Sequence, residues 1–434
     1  MSAESPPDAA APVSRAAVTM LLSVMFINML GFGIVVPLLP FYAHSFNAPA
    51  WQIALIFSAY SMGGFFGEPF WGRLSDRIGR KPLLVSTLAA NCVCYGLLAF
   101  APNVFFAFVI RFFGGMFAGN GSVVQGYIAD VTPPEERAGR MSRMGASWNI
   151  GMIVGPTVGG WLAHPAAGPA GFRIPLLAAS ALAGIAALGV FLIIRESRRP
   201  VVEYVKPPSR WVMTGYSLRH PVIGRLMMLT FLVGCAFTGI EANFGLWAQA
   251  RFAWTPQNLG TCFAVTGVVA AISQFFVTGP LSKRFGEARM LAIGMAGMVL
   301  ACVAQPFSPS GLVTIGLMAV LALFQSVAFP NSGALMSRAI DPDHQGQIMG
   351  LNNAMGAVAR FFGPLGAGMA FTYVSINSPF FLAAAIVAPS ILLATSAGRA
   401  AAASGDADRL GMPGTAGSPP PASATSTARE RLTA

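Results

Sequence analysis

Charged residues are scarce in this sequence, and acidic residues are the scarcer kind. Of 434 residues, 10% are charged, with 16 Asp or Glu against 27 Lys or Arg. A soluble domain has about 25% charged residues, so the composition excludes an ordinary soluble fold. The formal net charge of +11 does not indicate a nucleic-acid partner, because 55% of the residues are hydrophobic. We interpret it as the excess of basic residues that membrane proteins carry on their cytoplasmic side.

The side chains that most enzymes use are also scarce. Four histidines occur near predicted loops or helix ends, and no Ser-His-Asp or metal-ligand spacing can be built from them. The five cysteines lie inside apolar runs, without metal-site spacing to a histidine. The phosphate-binding pattern Gly-x-x-x-x-Gly-Lys-Ser/Thr does not occur. We therefore expect no enzyme activity, no metal and no cofactor. Because no ATP-binding pattern is present, any work the protein does would be driven by an ion gradient or by the gradient of its own substrate.

Long apolar runs occupy most of the chain. A membrane-spanning helix needs ~20 mostly apolar residues, and twelve runs of about that length are present, numbered here as spans one to twelve. They cover residues 18–42, 51–72, 82–100, 103–127, 142–164, 173–195, 222–249, 257–281, 288–305, 311–335, 346–373 and 378–398. The sequence thus predicts an all-α membrane protein.

Two polar tails and a polar linker divide this protein into two groups of six spans. We expect a cytoplasmic tail (1–17), a six-helix bundle (18–195), a cytoplasmic linker (196–221), a second six-helix bundle (222–398) and a disordered cytoplasmic tail (399–434). The two halves also echo each other in sequence. Residues 72–79 recur as 279–286, and residues 155–159 recur as 363–368, as parallel repeats in transporters do.

The loop between spans two and three is short and strongly basic. Residues 72–81 read GRLSDRIGRK, and the glycines allow a tight turn between antiparallel helices. The segment resembles the loop signature of the major facilitator superfamily of secondary transporters. That resemblance implies the major facilitator fold, with twelve transmembrane helices as two six-helix pseudo-repeats. It also implies a latch for the outward-open state, in which Asp76 faces the start of span eleven and Arg80 pairs with Asp130. The latch residues are Gly72, Asp76, Gly79, Arg80 and Asp130.

Span five carries glycines at four-residue spacing. Residues 151–160 read GMIVGPTVGG, so its glycines line one helix face and allow a neighbouring helix to pack closely. Pro156 removes a backbone donor and permits a kink. A packing seam would explain the glycines alone, whereas the whole pattern resembles the antiporter signature of drug:proton exporters. The residues that carry this resemblance are Gly151, Gly155, Pro156, Gly159 and Gly160.

Other segments resemble the tetracycline-type exporters. They are residues 31–40, 127–132, 136–138, 279–287 and 337–347. The chain departs from that family where it binds its drug and proton. Asn28 stands where an acid is expected, Ala270 where a histidine is expected, and Met298 where an aspartate is expected. These departures favour a sibling exporter over a tetracycline transporter.

Glu68 and Glu241 are the acids inside the predicted spans, and Arg111 and Arg360 are the bases that lie away from the span ends. Ionisable residues there are costly and are functional candidates by default. Glu241 lies near the middle of span seven, and we predict that it is the main proton-coupling carboxylate. The alternative is a permanent ion pair with an arginine across the cavity. Glu68 lies one turn from the end of span two, from which it could also reach the interface. It is the second coupling candidate.

The two arginines that lie away from the span ends have different sequence contexts. Arg111 belongs to the sequence RFFGG, which resembles the span-four motif that the family uses in proton transfer, and it is the third coupling candidate. Arg360 in span eleven is predicted either to bind an anionic substrate or to pair with Glu68. The predicted substrate cavity is lined by Asn28, Phe32, Gln125, Asn149, Asn243, Gln325, Asn353 and Arg360.

Together these features predict a monomeric inner-membrane transporter that exports amphipathic drugs or related small molecules in exchange for protons. Its partners are then the substrate, protons and the lipid bilayer, with no nucleic acid. The alternative is a proton symporter or facilitator for a sugar or organic anion, which Arg111 and Arg360 favour and the Gly155-Pro156 motif disfavours. A membrane enzyme or receptor is disfavoured because the sequence has no catalytic cluster or sizeable extramembrane domain.

The distribution of basic residues predicts that both termini are cytoplasmic. The opposite side offers only Arg173 and Arg251, whereas the other loops and the linker hold most of the bases. A reporter that matures only in the periplasm, fused to the carboxyl terminus, should therefore give no signal, and a cytoplasmic reporter at the same position should be active. A periplasmic signal from a full-length fusion would reverse the topology.

Overall fold

The helices of the protein follow the apolar runs. A computed structural model describes residues 15–132, 134–196, 215, 217, 220, 222–340 and 345–409. Most of the two predicted tails and of the linker, and the side chains of Asp76 and Asp130, lie outside the described residues. The α-helices are α1 (Arg15–Val35), α2 (Leu39–His44), α3 (Ala50–Ile78), α4 (Arg80–Ala99), α5 (Val104–Met116), α6 (Asn120–Val131), α7 (Pro134–Leu162), α8 (Arg173–Ile193), α9 (Ile223–Phe252), α10 (Pro256–Ile272), α11 (Gly279–Phe285), α12 (Glu287–Ala304), α13 (Gly311–Ala339), α14 (Gln345–Tyr373) and α15 (Ser378–Arg409).

Three of the predicted spans are interrupted helices. Span one is α1 and α2, joined by the 3₁₀ turn Val36–Leu38, and span four is α5 and α6. Span eight is α10 and α11, joined by the π-helical segment Ser273–Thr278. Each of the other spans is a single helix. The last helix continues to Arg409, beyond the predicted end of span twelve at residue 398.

Length and composition alone qualify eight helices of the described chain to cross a membrane. They correspond to spans one, three, six to ten and twelve. Spans two, five and eleven are long enough but carry more glycine and polar residues, and span four is divided into two shorter helices. Large apolar side chains cover the outer surface, such as Leu312, which is 79% exposed, and Phe275, which is 76% exposed. Such a surface is suited to lipid rather than to water.

The break in span four is stabilised by contacts from two other helices. The Trp71 indole donates a hydrogen bond of 2.5 Å to the Met116 carbonyl oxygen at the end of α5. The amides of Asn120 and Asn28 then bond each other at 3.2 and 3.3 Å, at the start of α6. Backbone groups that a break leaves unpaired in a membrane are costly, so the Trp71 bond satisfies a carbonyl that has no partner within α5.

The glycines of span five pack directly on span one. A Cβ atom added to Gly155 would lie 2.7 Å from the Leu30 carbonyl oxygen and 2.7 Å from Gly33 Cα. Gly151 and Gly159, one turn away on either side, face the carbonyl oxygens of Phe26 and Ile34. The two backbones therefore approach closely along one helix face, as the four-residue spacing predicts.

The second half repeats this seam between spans eleven and seven. A Cβ atom on Gly363 would lie 2.5 Å from Thr238 Oγ1, and one on Gly239 would lie 2.9 Å from the Gly363 carbonyl oxygen. One turn before Gly363, the Ala359 methyl group lies 2.8 Å from the Cβ position of Gly234. The sequence echo between residues 155–159 and 363–368 is thus a repeated helix contact.

The seam predicts opposite effects for two alanine substitutions in the same helix. Alanine favours a helix over glycine by ~1 kcal/mol, so Gly145→Ala, whose Cβ would meet no described atom within 4 Å, should raise or preserve the unfolding temperature. Gly155→Ala should lower it, because overpacking costs about 1–3 kcal/mol. Thermal unfolding of both purified variants in detergent measures this difference. Equal unfolding temperatures would show that the seam tolerates a methyl group.

Candidate transport site

The two halves meet through spans two and eleven. The backbone amide of Trp51 donates to Thr372 Oγ1 at 3.2 Å, and Ser58 Oγ donates to the Phe361 carbonyl oxygen at 2.7 Å. Gly368 of span eleven also packs against Ala54 of span two. These contacts lie in the part of each helix that is farther from the basic loops, so they close that end of the seam.

Spans five and eight form a matching contact on the other side of the molecule. Gln257 Nε2 donates to the Ala163 carbonyl oxygen at 2.8 Å. A Cβ atom on Gly160 would lie 2.5 Å from the Pro256 carbonyl oxygen, and one on Gly260 would lie 2.7 Å from the Pro156 carbonyl oxygen. The backbones of the two halves therefore touch at this end.

The opposite ends of these helices are not in comparable contact. A Cβ atom on Gly72, Gly279 or Gly350, all near the basic loops, would meet no described atom within 4 Å. The described contacts between the halves are therefore concentrated at the end with few basic residues.

Glu68, Glu241 and Arg360 form one electrostatic cluster. Arg360 on span eleven acts on Glu68 of span two and also on Glu241 of span seven. Within the described residues, none of the three makes an ion pair within 4.0 Å, so neither predicted ion pair, Glu241 with an arginine or Arg360 with Glu68, is formed in this conformation. Glu68 and Arg360 are exposed, and Glu241 is half-buried.

The cluster lies next to the closed seam. Arg360 immediately precedes Phe361, whose carbonyl oxygen accepts the hydrogen bond of Ser58 across the two halves. Its Nη1 atom lies 3.5 Å from the Cβ position of Gly356, one turn nearer the basic end. The guanidinium group is therefore directed from the closed seam toward the basic end. One cation between two carboxylates gives the cluster one net negative charge when both acids are ionised.

Arg111 is not part of that cluster. It lies between spans two, three and four, with its guanidinium carbon 4.3 Å from the centre of the Tyr60 ring. Its electrostatic neighbours are Tyr95, Tyr60 and Cys94, with no carboxylate among them. Tyr60 is a neighbour of both Arg111 and Glu68, but no direct interaction joins the two, and the coupling role of Arg111 stays a prediction.

The basic loop contains an interaction that the sequence analysis missed. The Glu196 carboxylate, just after span six, accepts hydrogen bonds from the backbone amides of Arg80 at 2.8 Å and Lys81 at 3.0 Å. Gly79 precedes them with a φ of 105°, a conformation that favours glycine. A carboxylate at a helix N-terminus is stabilised by the unpaired amides and the helix dipole. The feature of the sequence that could have indicated this interaction is a single acidic residue at the end of a span.

Of the predicted latch residues, Arg80 contacts Ser75 and span four, and Gly72 faces open space. Arg80 Nη1 donates to Ser75 Oγ at 2.6 Å, and the Arg80 guanidinium lies against Gly126 of span four. The side chains of Asp76 and Asp130 lie outside the described residues, so the latch itself stays a prediction. Gly72 has open space where its side chain would lie.

The predicted cavity residues differ in exposure and in hydrogen bonding. Gln125, Asn149 and Asn353 are exposed, and Gln325 and Phe32 are half-buried. Asn28 is bonded to Asn120, so its amide already has a partner. Asn243 is the exception to the predicted lining: it is 2% exposed, and its side-chain amide donates to the Gly239 carbonyl oxygen of its own helix at 2.9 Å. The Asn243 amide therefore bonds within its own helix and is not exposed to the predicted cavity.

Comparison with known proteins agrees with this architecture. The family model for the Major Facilitator Superfamily matches residues 21–260 and 226–411. The chain is 32% identical over 366 residues to the tetracycline resistance protein, class C, of Escherichia coli, covering 81% of this chain and 89% of the relative. It is 28% identical over 374 residues to multidrug resistance protein 2 of Bacillus subtilis, covering 84% and 90%. For the quinolone resistance protein NorA of Staphylococcus aureus, the identity is 24% over 370 residues, with 85% and 93% covered.

Two solved structures share the fold. The human organic anion transporter MFSD10 (TETRAN) matches with a TM-score of 0.65 and 21% identity, over 90% of this chain and 100% of that chain. A bacterial homologue of the human lysosomal transporter Spinster, in an inward-facing and occupied conformation, matches with a TM-score of 0.70 and 14% identity, over 92% and 98%. At these identities the likeness concerns the fold alone.

The hydrogen bond across the closed seam predicts how the two halves can be separated. Ser58→Ala removes about 1 kcal/mol from that contact, which should raise the population open at this end about fivefold. A cysteine at Ala54, in a background without the native cysteines, should then react faster with a membrane-impermeant thiol reagent. Ser326→Ala is the matched control, because its hydroxyl group bonds Leu323 within its own helix. Equal reaction rates in the two variants would contradict the assignment of the seam.

Proposed function

Because the chain belongs to the major facilitator superfamily, we propose that it is a secondary active transporter that exports amphipathic drugs or related small molecules in exchange for protons. The relatives named as tetracycline, quinolone and multidrug resistance proteins support export of such compounds. The direction of transport and the inner membrane as its location are part of the proposal. So is the placement of both termini in the cytoplasm.

The observation that carries the coupling proposal is the cluster of Glu68, Glu241 and Arg360. Its groups come from three helices and from both halves, and Arg360 acts on both carboxylates. One net negative charge in a membrane interior is costly unless it is neutralised. A proton on one carboxylate neutralises the cluster, and so does a bound cationic substrate. Protons and substrate therefore compete for the same site, as an exchange mechanism requires.

Alternating access follows from the two halves rocking about this site. With the basic loops in the cytoplasm, the arrangement described above is inward-open, and substrate reaches the cluster from the cytoplasm. Breaking the Ser58 and Gln257 contacts opens the opposite end. We assign the stabilisation of that second state to the latch, with Asp76 at the start of span eleven and Arg80 paired with Asp130. The antiporter motif keeps span five against span one while the halves move.

Of the two carboxylates, we propose Glu241 as the principal coupling group. It is half-buried and lies in the interior of a 30-residue helix, whereas Glu68 is exposed. A group that alternates between two exposures must lie away from both membrane surfaces. Glu68, in the other half, then contributes the second negative charge of the cluster. Polar contacts to substrate come from Gln125, Asn149, Gln325 and Asn353. Phe32 supplies an apolar one.

Replacing Glu241 with glutamine tests this assignment. Glu241→Gln mimics the protonated carboxylate permanently, so uphill transport of a cationic dye such as ethidium into everted vesicles should fall at least tenfold under an imposed proton gradient. Downhill movement of the dye should persist. Glu136→Gln is the control, because that acid is paired with Arg140 at 2.9 Å at the start of span five. Wild-type accumulation by Glu241→Gln would transfer the assignment to Glu68.

A further inference from the structure

A small pocket lies within the first half, between spans two, three and four. Its volume is about 10 Å³, and it is lined by Tyr60, Asn91, Cys94, Tyr95 and Arg111, with Leu98, Ile110 and Gly114 completing the wall. A volume near 10–15 Å³ holds one water-sized body. The pocket is therefore suited to a single small molecule or ion.

Three polar side chains of this pocket are almost completely buried. Arg111 is 3% exposed, Asn91 is 4% exposed and Tyr95 is 7% exposed. None of these side chains makes a hydrogen bond to another side chain or backbone group in the described part of the chain, and the Nε–H of Arg111 is fully buried without a partner. Buried polar groups are normally hydrogen-bonded. Three unpartnered groups around one pocket indicate that they share a ligand.

The contact between Arg111 and Tyr60 does not use the donors of Arg111. The guanidinium carbon lies 4.3 Å from the centre of the Tyr60 ring. A guanidinium stacked on an aromatic face keeps its N–H groups pointing outward in its own plane. Those donors remain available to a ligand in the pocket, together with the Asn91 amide and the Tyr95 hydroxyl group.

The charge of Arg111 decides what that ligand is. A buried charge is costly unless an opposite charge is near. The groups that act on Arg111 are Tyr95, Tyr60 and Cys94, and no described carboxylate is among them. A water molecule would satisfy the donors but would leave the positive charge uncompensated. An anion does both.

We propose that this pocket binds a single halide ion, chloride under physiological conditions, as the counterion of Arg111. Chloride is monoatomic and only slightly larger than water, so it matches the size of the pocket, and its ligands are the donors of Arg111, Asn91 and Tyr95. The site lies inside spans two, three and four. It thus stabilises the first half and does not depend on the direction or the substrate of transport.

The test is the unfolding temperature of the purified full-length protein in potassium chloride and in potassium gluconate at equal ionic strength. Chloride and bromide should raise it by several degrees in a saturable way, because a ligand of the folded state stabilises that state. Equal ionic strength removes differences in charge screening. Identical unfolding temperatures in the two salts would overturn the proposal.

Variants locate the effect and keep the test valid if one of them fails to fold. Arg111→Leu should abolish the chloride shift. Asn91→Leu and Tyr95→Phe, which leave Arg111 in place, should each raise the chloride concentration at half-maximal shift about tenfold. Arg251→Gln is the control, because this exposed arginine lies in the other half, and it should retain the full shift. A shift that is unchanged in both Asn91→Leu and Tyr95→Phe would exclude this pocket.

A direct readout distinguishes the halide from other anions. Crystals grown in bromide should show an anomalous peak beside the Arg111 guanidinium. Acetate carries a carboxylate like many drugs, so stabilisation by acetate equal to that by chloride would assign the pocket to a substrate carboxylate and overturn the halide proposal. An anomalous peak elsewhere, with none beside Arg111, would also overturn it.

Discussion

Each charge inside the membrane-spanning part of this protein needs a compensating charge or access to water, and this requirement determines where its chemistry is placed. Two acids lie within the spans and two arginines lie away from the span ends, so the formal charges of these four residues sum to zero. They are nevertheless not arranged as two pairs. Arg360 serves both carboxylates, and Arg111 lies apart among tyrosines. The result is a site with excess negative charge between the halves and a buried positive charge inside one half.

The helix contacts explain how the halves can move while each stays intact. Within a half, glycine seams bring backbones together along several turns, as Gly155 does against span one. Between the halves, the hydrogen bonds of Ser58 and Gln257 and the glycine contacts of Gly160, Gly260 and Gly368 lie at the end farther from the basic loops. Span five carries both kinds of contact, since Gly159 faces span one and the adjacent Gly160 faces span eight. A contact within one half and a contact between the halves thus occupy neighbouring positions on one helix.

Much of the fold could be predicted from the sequence because apolar length and glycine spacing are local properties. The twelve runs locate the spans, and the four-residue glycine pattern predicts close packing, although it does not identify the partner helix. The break in span four could not be predicted, because its stabilising bond comes from Trp71 in another helix. The same reason applies to Asn28 and Arg111: their roles depend on partners, or on a lack of partners, that only the packed helices define. Glu241 and Arg360 could be identified as candidates because a charged residue within a span is visible in the sequence. That Arg360 acts on both carboxylates could not be predicted from the sequence.

The Glu196 carboxylate joins the end of span six to the first amides of span three, at the point where the linker between the halves begins. The positive-φ turn at Gly79 and the end of span six are therefore held together by one side chain. A movement of the end of span six would carry the start of span three, and with it the basic loop, in the same direction.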